Sequence, residues 1–561
     1  MKTSSALAHA NSGPLAFGNR DKAFWALIFI FLTAFFIQSA VSLESESTTW
    51  DEPGAIATAY AAFRVHDLTT ARERPPLLGL LITWPLRLFA GDPKLPPRPD
   101  PSEKGGDLRF SLTFFNSYGN DPVQMTRVAR YCVLFLSLFL GGVLALWSRA
   151  LGGMPAAVLA CALFALCPNL LAHSHIAAND MPSTIFVFTA LFILEKFWSA
   201  PDSTRALWAG ISLGLALTAK LSGIIILPLY AGVAALLWMS AGSTWEKKRL
   251  LAHAAILMLT SFFTVGVAMG GRFDYAAYLS GFSKIYGLKN DQYFFYLAGR
   301  LSSKPWWYYH LYAAAIKTPL TLLILAASGV LVLQREPKHR RSVFLGLGAV
   351  ALFVGASCFD RVNLGLRRIL PVYPFLILLA SQTVRFPVAP ALRRRILAAL
   401  LIFQASSVAR AAPHYLSYFN ELVGGPARGI YHLDDSNIDW GQGLPALRNW
   451  LKVHSGVPVR FVYFGTVNPG SYGVNLPPIP VADICAPQPI VYAISAQHLV
   501  NLLRQKGDCS WLNRYVPTER LGGSIYIYDF RAGAPSGFAG DRHTDHGKPS
   551  VPMIPGNLPA P

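Results

Sequence analysis

Long apolar runs recur along most of the chain and predict its architecture. The first, at 23–43, has 21 residues and no charge, and as a helix it would extend about 31 Å, enough to cross a hydrocarbon core of about 30 Å. Ten further runs occupy residues 131–148, 154–172, 181–198, 206–219, 221–239, 250–270, 311–334, 343–358, 366–384 and 396–411. The pattern predicts an α-helical polytopic membrane protein with about 11 transmembrane helices. A cleaved signal peptide is the alternative for the first run, but its apolar stretch is longer than usual for one.

Charges between the runs predict sidedness, because cytoplasmic loops of membrane proteins retain lysine and arginine. With the N-terminus inside, the inner segments carry seventeen of these residues and the short outer turns carry four. This predicts a cytoplasmic tail at 1–22 and a membrane domain at 23–411 with external loops at 44–126 and 271–310. Because the number of spans is odd, the C-terminus is predicted to lie outside.

The two external loops have different apolar patterns. Residues 53–66 and 76–90 alternate apolar and polar faces, which indicates helices lying along the membrane surface. The second loop is rich in aromatic residues, including Trp307 and Tyr308. Such rings are typical of a membrane interface.

After the last apolar run, strand-like and helix-like patterns are mixed. The strand-like runs begin near 459, 489 and 524, and the helix-like runs begin near 444 and 496. Residues 412–532 are therefore predicted to form an external α/β domain. Residues 533–561 are rich in Gly, Pro and Ser without an apolar period, which predicts a disordered tail.

Composition supports the membrane assignment. Of the 561 residues, 53% are hydrophobic and 14% are charged, which excludes soluble globular, collagenous and disordered classes. The net charge of +19 is spread over loops, so it does not predict a nucleic-acid partner. Cys485 and Cys509 share the predicted external domain, and because an oxidising compartment permits pairing, they are predicted to form a disulfide. Two separately buried thiols are the alternative.

An acidic pair, Asp51 and Glu52, opens the first external loop. Two adjacent carboxylates repel each other near a low-dielectric surface, which tends to raise one pKa and favours a proton acceptor. The alternative is a structural role, because Pro53 favours a first helical turn and an acid there can cap the helix.

A second acid, Asp180, stands at the head of the fourth span. If the spans pack together, it converges with Asp51 on one external cavity. Capping of the helix is again the alternative. His173, His175 and Asp180 are also candidate ligands of a divalent metal, although a single His-x-His pair is a weak signal.

Several cations are predicted to lie at the same membrane depth as these acids. Lys220 stands between two apolar runs and could neutralise a lipid phosphate or simply extend to the interface. The same phosphate role is open to Arg127, Arg130, Arg367 and Arg368. Cations beside acids at one surface suggest a substrate that carries an anion there.

Six motifs, each weak alone, occur in a specific order. They are Asp51-Glu52; Arg74-Pro75-Pro76-Leu77; Pro168-Asn169-Leu170-Leu171-Ala172-His173 leading to Asp180; Ala219-Lys220-Leu221-Ser222-Gly223; Trp306-Trp307-Tyr308-Tyr309 followed by Lys317-Thr318-Pro319; and Gly365-Leu366-Arg367-Arg368-Ile369-Leu370-Pro371. In these motifs the chain resembles the bacterial phospholipid-carrier-dependent glycosyltransferases. These are membrane enzymes of the GT-C superfamily, related to protein O-mannosyltransferases and lipid A aminoarabinose transferases.

The resemblance implies a bacterial inner-membrane enzyme that transfers a hexose or pentose from a polyprenyl-phosphate donor by inversion. It implies Asp51 as the base, Glu52 as a residue that places the acceptor, and Asp180 as a contact to the sugar or a metal. Lys220 and an arginine would hold the donor phosphate. The remaining implied contacts to acceptor or sugar are Arg74, His173, Trp307 and Tyr308.

Two departures from the family pattern bear on the acceptor, which could be a glycan, a lipid or a protein. Arg74 stands where the family often has histidine. Residues 434–442 resemble a segment of many bacterial members that is absent from the eukaryotic mannosyltransferases. A secondary transporter or flippase for a lipid-linked sugar is the alternative function. Charged candidates at one face rather than at the midplane favour the transferase.

Overall fold

The computed structural model describes residues 19–66, 68, 74–98, 105–271, 273–286, 294–484, 488–504, 512 and 515–531. The predicted disulfide and the predicted tail at 533–561 lie outside these residues. So does most of the predicted tail at 1–22.

Helices form most of the described chain. They are α1 Asn19–Ser45, α2 Glu52–Arg64, α3 Leu77–Phe89, α4 Gly106–Asn116, α5 Pro122–Ala165, α6 Pro168–His173, α7 Asp180–Ser199, α8 Ser203–Ala219, α9 Leu227–Ser240, α10 Thr244–Ala268, α11 Tyr275–Tyr286, α12 Tyr309–Lys317, α13 Leu320–Gln334, α14 Arg340–Ser357, α15 Val372–Ser381, α16 Pro390–Ala409, α17 Leu444–Val453 and α18 Ala496–Arg504. The strands are β1 Phe295–Leu297, β2 Arg300–Ser302, β3 Val459–Val462, β4 Val491–Ser495, β5 Glu519–Leu521 and β6 Ile525–Asp529.

Six helical segments of the described residues are long and apolar enough to cross a membrane. They are Lys22–Ser45, Pro122–Ala165, Asp180–Ser199, Leu221–Ser240, Thr244–Ala268 and Pro337–Ser357. A bent pair, α12 with α13, makes a seventh if it is one span. The structure therefore shows a helical protein with several candidate spans, and it does not confirm the predicted number of eleven.

Four predicted spans do not pass this test, at 154–172, 206–219, 366–384 and 396–411. The first is joined to its predecessor in α5, whose 44 residues would extend about 66 Å if straight, twice a hydrocarbon core. Gly153 divides that helix, since its φ of 74° is left-handed and suits glycine. The others lie in short helices, such as α15 with 10 residues, or share a helix with arginines.

The predicted span at 311–334 is bent. Its two halves, α12 and α13, meet at 105°. The bend falls at Thr318 and Pro319, where proline has no N–H for the helix ladder and restricts the preceding residue to extended backbone. The C-terminal end of α12 consequently turns toward the C-terminal part of the chain.

Burial differs strongly among the candidate spans. Only 22% of the apolar window of α10 is buried, whereas 72% of the α7 window is. The helix α8 packs between α7 and α10, and α1 packs along α5. Exposed apolar side chains on α10, such as Met258 and Phe262, fit a lipid environment. The helix α7 is thus a central element, and it begins with Asp180.

The predicted first loop contains three helices, α2, α3 and α4. Leu80, Trp84 and Leu88 on α3 are exposed at four-residue spacing, which makes one apolar face. That face fits the predicted position along a membrane surface. In the second loop, β1 and β2 form an antiparallel pair.

The C-terminal part of the chain contains a four-stranded sheet in the order β3-β4-β6-β5. The β3–β4 pair is parallel, and the pairs β4–β6 and β5–β6 are antiparallel. The five elements that the sequence pattern predicts after residue 440 correspond to α17, β3, β4, α18 and β6, and β5 is an addition. Side chains of this part, including Trp440 and Ile494, belong to the same apolar core as the membrane helices.

Lys317, at the end of α12, connects these two parts of the protein. Its Nζ donates to the carbonyl oxygens of Leu416, Tyr418 and Asn437 at 2.8, 3.0 and 2.6 Å. Three acceptors match the three N–H donors of an ammonium group. A buried charge is therefore fully hydrogen-bonded without an acidic partner.

Candidate active site

Asp51 lies in the short link between α1 and α2. It occupies the N-cap position of α2 and makes no side-chain capping bond. Its Oδ1 accepts from Nη2 of Arg74 at 3.1 Å and its Oδ2 accepts from Nη1 of Arg367 at 2.6 Å. The capping alternative therefore does not describe its side chain, which faces two arginines and keeps 21% exposure.

Asp180 begins α7 and joins the same group. Its Oδ1 accepts from Nζ of Lys220 at 2.6 Å, and its Oδ2 lies 3.6 Å from Nη1 of Arg367. The N-cap of α7 is Asn179, so the Asp180 carboxylate is not used for capping. Arg367 thus bridges the two acids that the topology predicts to converge. We call Asp51, Arg74, Asp180, Lys220 and Arg367 the open cluster.

Breaks in helices place the two inner cations of the open cluster. Lys220 has extended backbone between α8 and the 3-10 turn Leu221–Ile226, which frees its side chain from a helix surface. Arg367 lies in the 3-10 turn Leu366–Ile369 after Gly365. Gly365 has a φ of 125°, and a Cβ there would meet Oγ of Ser436 at 2.2 Å. Only glycine fits this approach.

The electrostatics of the open cluster keep Asp51 ionised. Burial alone would raise its pKa, and the charges of Arg367 and Arg74 outweigh that effect, so the pKa lies below the ordinary value. Asp180 opposes the arginines by like-charge repulsion. An ionised carboxylate that retains solvent access can accept a proton once a competing anion draws the cations away.

Glu52, adjacent to Asp51, has a different environment. Its oxygens accept from Nε and Nη2 of Arg130 at 2.8 and 2.7 Å, and from the amides of Thr49 and Ala177 at 2.7 and 2.8 Å. Neither Glu52 nor Arg130 has more than 1% exposure. The structure therefore does not bring these two predicted site residues to the open cluster.

A second buried acid extends this interior group. Glu46 Oε2 lies 3.3 Å from Nε2 of His175, and Glu46 Oε1 lies 3.5 Å from Nδ1 of His414. Burial would raise the pKa of Glu46, but the two histidines lower it to about 2. We call Glu46, Glu52, Arg130 and His175 the closed cluster.

Among the described residues, four other predicted phosphate and sugar contacts form no hydrogen bond to the open cluster; they are Arg127, Arg368, Trp307 and Tyr308. Arg127 pairs with Glu44 at 3.0 Å, and Arg368 pairs with Asp360 at 2.8 Å. Trp307 and Tyr308 are exposed. The sequence predicts that Arg127 and Arg368 lie at the same membrane depth as Lys220, but it does not predict the direction of their side chains.

The predicted metal ligands bind separate partners. Nδ1 of His173 donates to the Asn169 carbonyl at 2.8 Å, His175 faces Glu46, and Asp180 binds Lys220. Among the residues that the structure describes, no group of three or more His, Cys, Asp and Glu side chains is arranged to hold a metal ion. His173 is buried near Asp180, and the charge of Asp180 acts on it.

Residues 434–442, to which the sequence assigns no role, adjoin the open cluster. The ring of Trp440 lies 4.3 Å from Cζ of Arg367, and the Trp440 carbonyl accepts from the amide of Trp50 at 2.7 Å. In the sequence, this segment differs from its surroundings by containing three aspartates, one asparagine and one glutamine. That composition does not identify which part of the membrane domain the loop contacts.

A known protein family matches the part of the chain that contains two of the sequence motifs. Residues 122–267, which include Asp180 and Lys220, match the family model described as dolichyl-phosphate-mannose-protein mannosyltransferase. No curated protein matches the chain. Over these residues, about a quarter of the chain, the family match confirms the predicted resemblance to protein O-mannosyltransferases. Together with the apolar helices, it supports a multi-pass membrane enzyme of the glycosyltransferase class.

Solved structures that resemble the chain have low sequence identity to it. ArnT from Cupriavidus metallidurans in the apo state has 16% identity and a TM-score of 0.46, covering 91% of this chain and 98% of that chain. The S. cerevisiae Pmt1-Pmt2 complex bound to the sugar donor has 18% identity and a TM-score of 0.33, covering 46% and 34%. An Archaeoglobus fulgidus oligosaccharyltransferase in the apo form has 12% identity and a TM-score of 0.41, covering 67% and 56%.

Proposed function

We propose that this protein transfers a sugar from a polyprenyl-phosphate donor to an acceptor hydroxyl at the external face of a bacterial inner membrane. The observation that carries the proposal is the open cluster. There, two carboxylates share Arg367 and are flanked by Lys220 and Arg74. The N-terminus would be cytoplasmic and the C-terminal α/β region external. The lipid tail of the donor would lie among the membrane helices.

The proposed reaction is a single inverting displacement. The acceptor oxygen attacks the anomeric carbon while the bond from that carbon to the phosphate oxygen breaks. The proton of the acceptor hydroxyl passes to Asp51, and polyprenyl phosphate leaves with the electron pair of the broken bond. Negative charge grows on the phosphate, where Lys220 and Arg367 would stabilise it.

Donor binding would also prepare the base. In the structure, Arg367 holds Asp51 at 2.6 Å and Lys220 holds Asp180 at 2.6 Å. A phosphate competes for both cations, so binding weakens the attraction that lowers the Asp51 pKa. Asp51 then becomes a stronger base in the complex than in the free protein. Asp180 would remain to contact the sugar, and Arg74 to contact the acceptor.

The test uses purified full-length protein with a polyprenyl-phosphate hexose or pentose and a membrane extract as the source of acceptors. We expect polyprenyl phosphate to be released and the sugar to appear in an acceptor fraction. Asp51→Asn should stop both. Movement of the intact donor across a vesicle membrane without cleavage would instead identify a flippase. Release that persists unchanged in Asp51→Asn would assign the base elsewhere.

A further inference from the structure

The 434–442 segment contacts the backbone beside Asp51 and the backbone beside Arg367. It runs from Asp434 to Gln442, before α17, and its side chains are buried. It follows α16 in sequence, yet it contacts the links before α2 and before α15. A segment that contacts two separate links can fix the distance between them.

On the Arg367 side, the segment binds the backbone around Gly365. Ser436 Oγ donates to the Leu364 carbonyl, and the Leu366 amide donates to Oδ1 of Asn437 at 3.1 Å. Asn437 is itself held, because its Nδ2 donates to the Tyr309 hydroxyl at 2.9 Å. The turn that carries Arg367 is therefore fixed on both sides of its glycine.

Trp440 restricts the Arg367 side chain directly. The indole ring is 1% exposed, and Cζ of Arg367 lies over the ring, 4.3 Å from its centroid. A ring in this position attracts the cation and leaves its N–H groups to donate in the guanidinium plane. The acid that receives the shorter bond in that plane is Asp51, at 2.6 Å.

On the Asp51 side, the same segment binds the link between α1 and α2. The Trp50 amide donates to the Trp440 carbonyl at 2.7 Å, and the Ser47 amide donates to the Gln442 carbonyl at 3.0 Å. Trp440 thus contacts Arg367 through its ring and the neighbour of Asp51 through its backbone. One residue connects the proposed base to the cation that controls it.

We propose that Trp440, supported by Ser436 and Asn437, is a positioning residue that holds Arg367 in register with Asp51 for the transfer reaction. The proposal rests on the proposed function and assigns Trp440 no contact with substrate. If Trp440 is replaced, the Arg367 side chain is less restricted and should bind the donor phosphate more weakly. The replacement also makes Asp51 easier to protonate, because a nearby cation favours the ionised carboxylate.

Charged groups of the described residues around Asp51 define its expected pH behaviour. Arg74 and Arg367 favour its ionised form, while Asp180 and Asp435 oppose it by repulsion. When the interaction of Arg367 with Asp51 is weakened, the repulsion of Asp51 by the two other acids is opposed mainly by Arg74. The acid limb of donor kcat/KM, where Asp51 becomes protonated, should then move to higher pH.

The experiment compares Trp440→Leu with Trp440→Phe in the full-length protein. We expect Trp440→Leu to lower donor kcat/KM by about 2- to 30-fold, the range of a cation–π contact, and to move the acid limb upward. Trp440→Phe keeps an aromatic ring over Arg367 and should retain most of the wild-type donor kcat/KM and the wild-type position of the acid limb. The matched control is Trp450→Leu, which removes a buried indole of α17 that contacts Glu519 and His454.

An unchanged acid limb and kcat/KM in Trp440→Leu would overturn the proposal, and so would equal losses in Trp450→Leu. If Trp440→Leu does not fold, Ser436→Ala decides. It removes one hydrogen bond to the Leu364 carbonyl and should move the limb in the same direction by less, whereas no movement contradicts the proposal. A wild-type protein that leaves the donor uncleaved overturns the proposed function too. A transfer-competent wild type with an inactive Asp51→Asn and an unaffected Trp440→Leu overturns only the positioning role.

Discussion

The open and closed clusters contain adjacent acids, Asp51 and Glu52, whose carboxylates differ in exposure and in hydrogen-bond partners. Asp51 keeps 21% exposure and shares Arg367 with a second acid. Glu52 is fully buried and accepts four hydrogen bonds, two from Arg130 and two from backbone amides. The helix that starts between them turns one carboxylate toward a solvent-accessible group of charges and the other into the interior.

The difference shows why an acidic pair is a poor guide to catalysis by itself. A saturated, buried carboxylate has no free lone pair for a substrate, and its removal leaves an unpaired arginine. An exposed carboxylate held by several cations can exchange those partners for a ligand. Function is therefore expected from the first cluster and folding stability from the second.

The largest expected effect is on activity in the open cluster. Asp51→Asn should lower transfer by about 10²- to 10⁴-fold, the usual contribution of a general base, because the amide cannot accept the proton. Its thermal unfolding should stay close to that of the wild type. Turnover of donor and melting temperature are measured on the same preparation, and wild-type turnover would make Asp51 a structural residue.

The closed cluster should respond in the opposite way. Glu52→Gln leaves Arg130 buried without a counter-charge and should lower the free energy of unfolding by about 3–5 kcal/mol. Denaturation in detergent, followed by intrinsic fluorescence, measures the change. The fraction that remains folded should retain donor affinity. A stable Glu52→Gln with lost acceptor affinity would instead support the acceptor role predicted from the sequence.

Lys220 tests the donor side of the open cluster. Lys220→Ala should raise the donor KM by about 10- to 100-fold, the range of a charge-assisted hydrogen bond, and lower kcat less. Lys196→Ala, at the opposite end of α7 and paired with Glu195, is the matched control. Equal donor KM values in the two variants would place Lys220 outside the donor site.

Arg74 tests the pH dependence of the proposed base. The Asp51 pKa is lowered in the folded protein, so its ionised form persists as pH falls below the ordinary carboxyl range of about 4. Arg74→Gln removes one of the cations responsible and should move the acid limb of donor kcat/KM up by about one pH unit. The control is Arg64→Gln, which removes an arginine at the end of α2 that pairs with Asp92, and it should leave the limb unchanged.

The smallest effect is expected at Arg127. Its pair with Glu44 is 45% and 43% exposed, and such pairs contribute about 0–1 kcal/mol. Arg127→Ala should therefore change neither the unfolding free energy nor the donor KM appreciably. A rise in donor KM comparable to that of Lys220→Ala would show that Arg127 contacts the phosphate after all.

The sequence predicts the long helices because a lipid-facing or buried helix needs a long apolar run, but the predicted number of eleven spans is not confirmed. It also predicts that Asp51 and Asp180 converge, since the predicted topology places both acids at the external ends of spans. It cannot distinguish Arg367 from Arg368, because their directions depend on the phase of one short 3-10 turn. Nor can it pair Glu52 with Arg130 across 78 residues, since that contact depends on how α5 packs beside the link before α2.

The Lys317 ammonium has a consequence for the order of synthesis. Its three carbonyl acceptors lie 99, 101 and 120 residues further along the chain, so none of them exists when α12 leaves the ribosome. During that interval the ammonium must be solvated by water or lipid head groups. The three contacts of Lys317 at the end of α12 can be completed only after residue 437 has been made. The membrane helices around α12 and the C-terminal region therefore reach their final arrangement together, late in biogenesis.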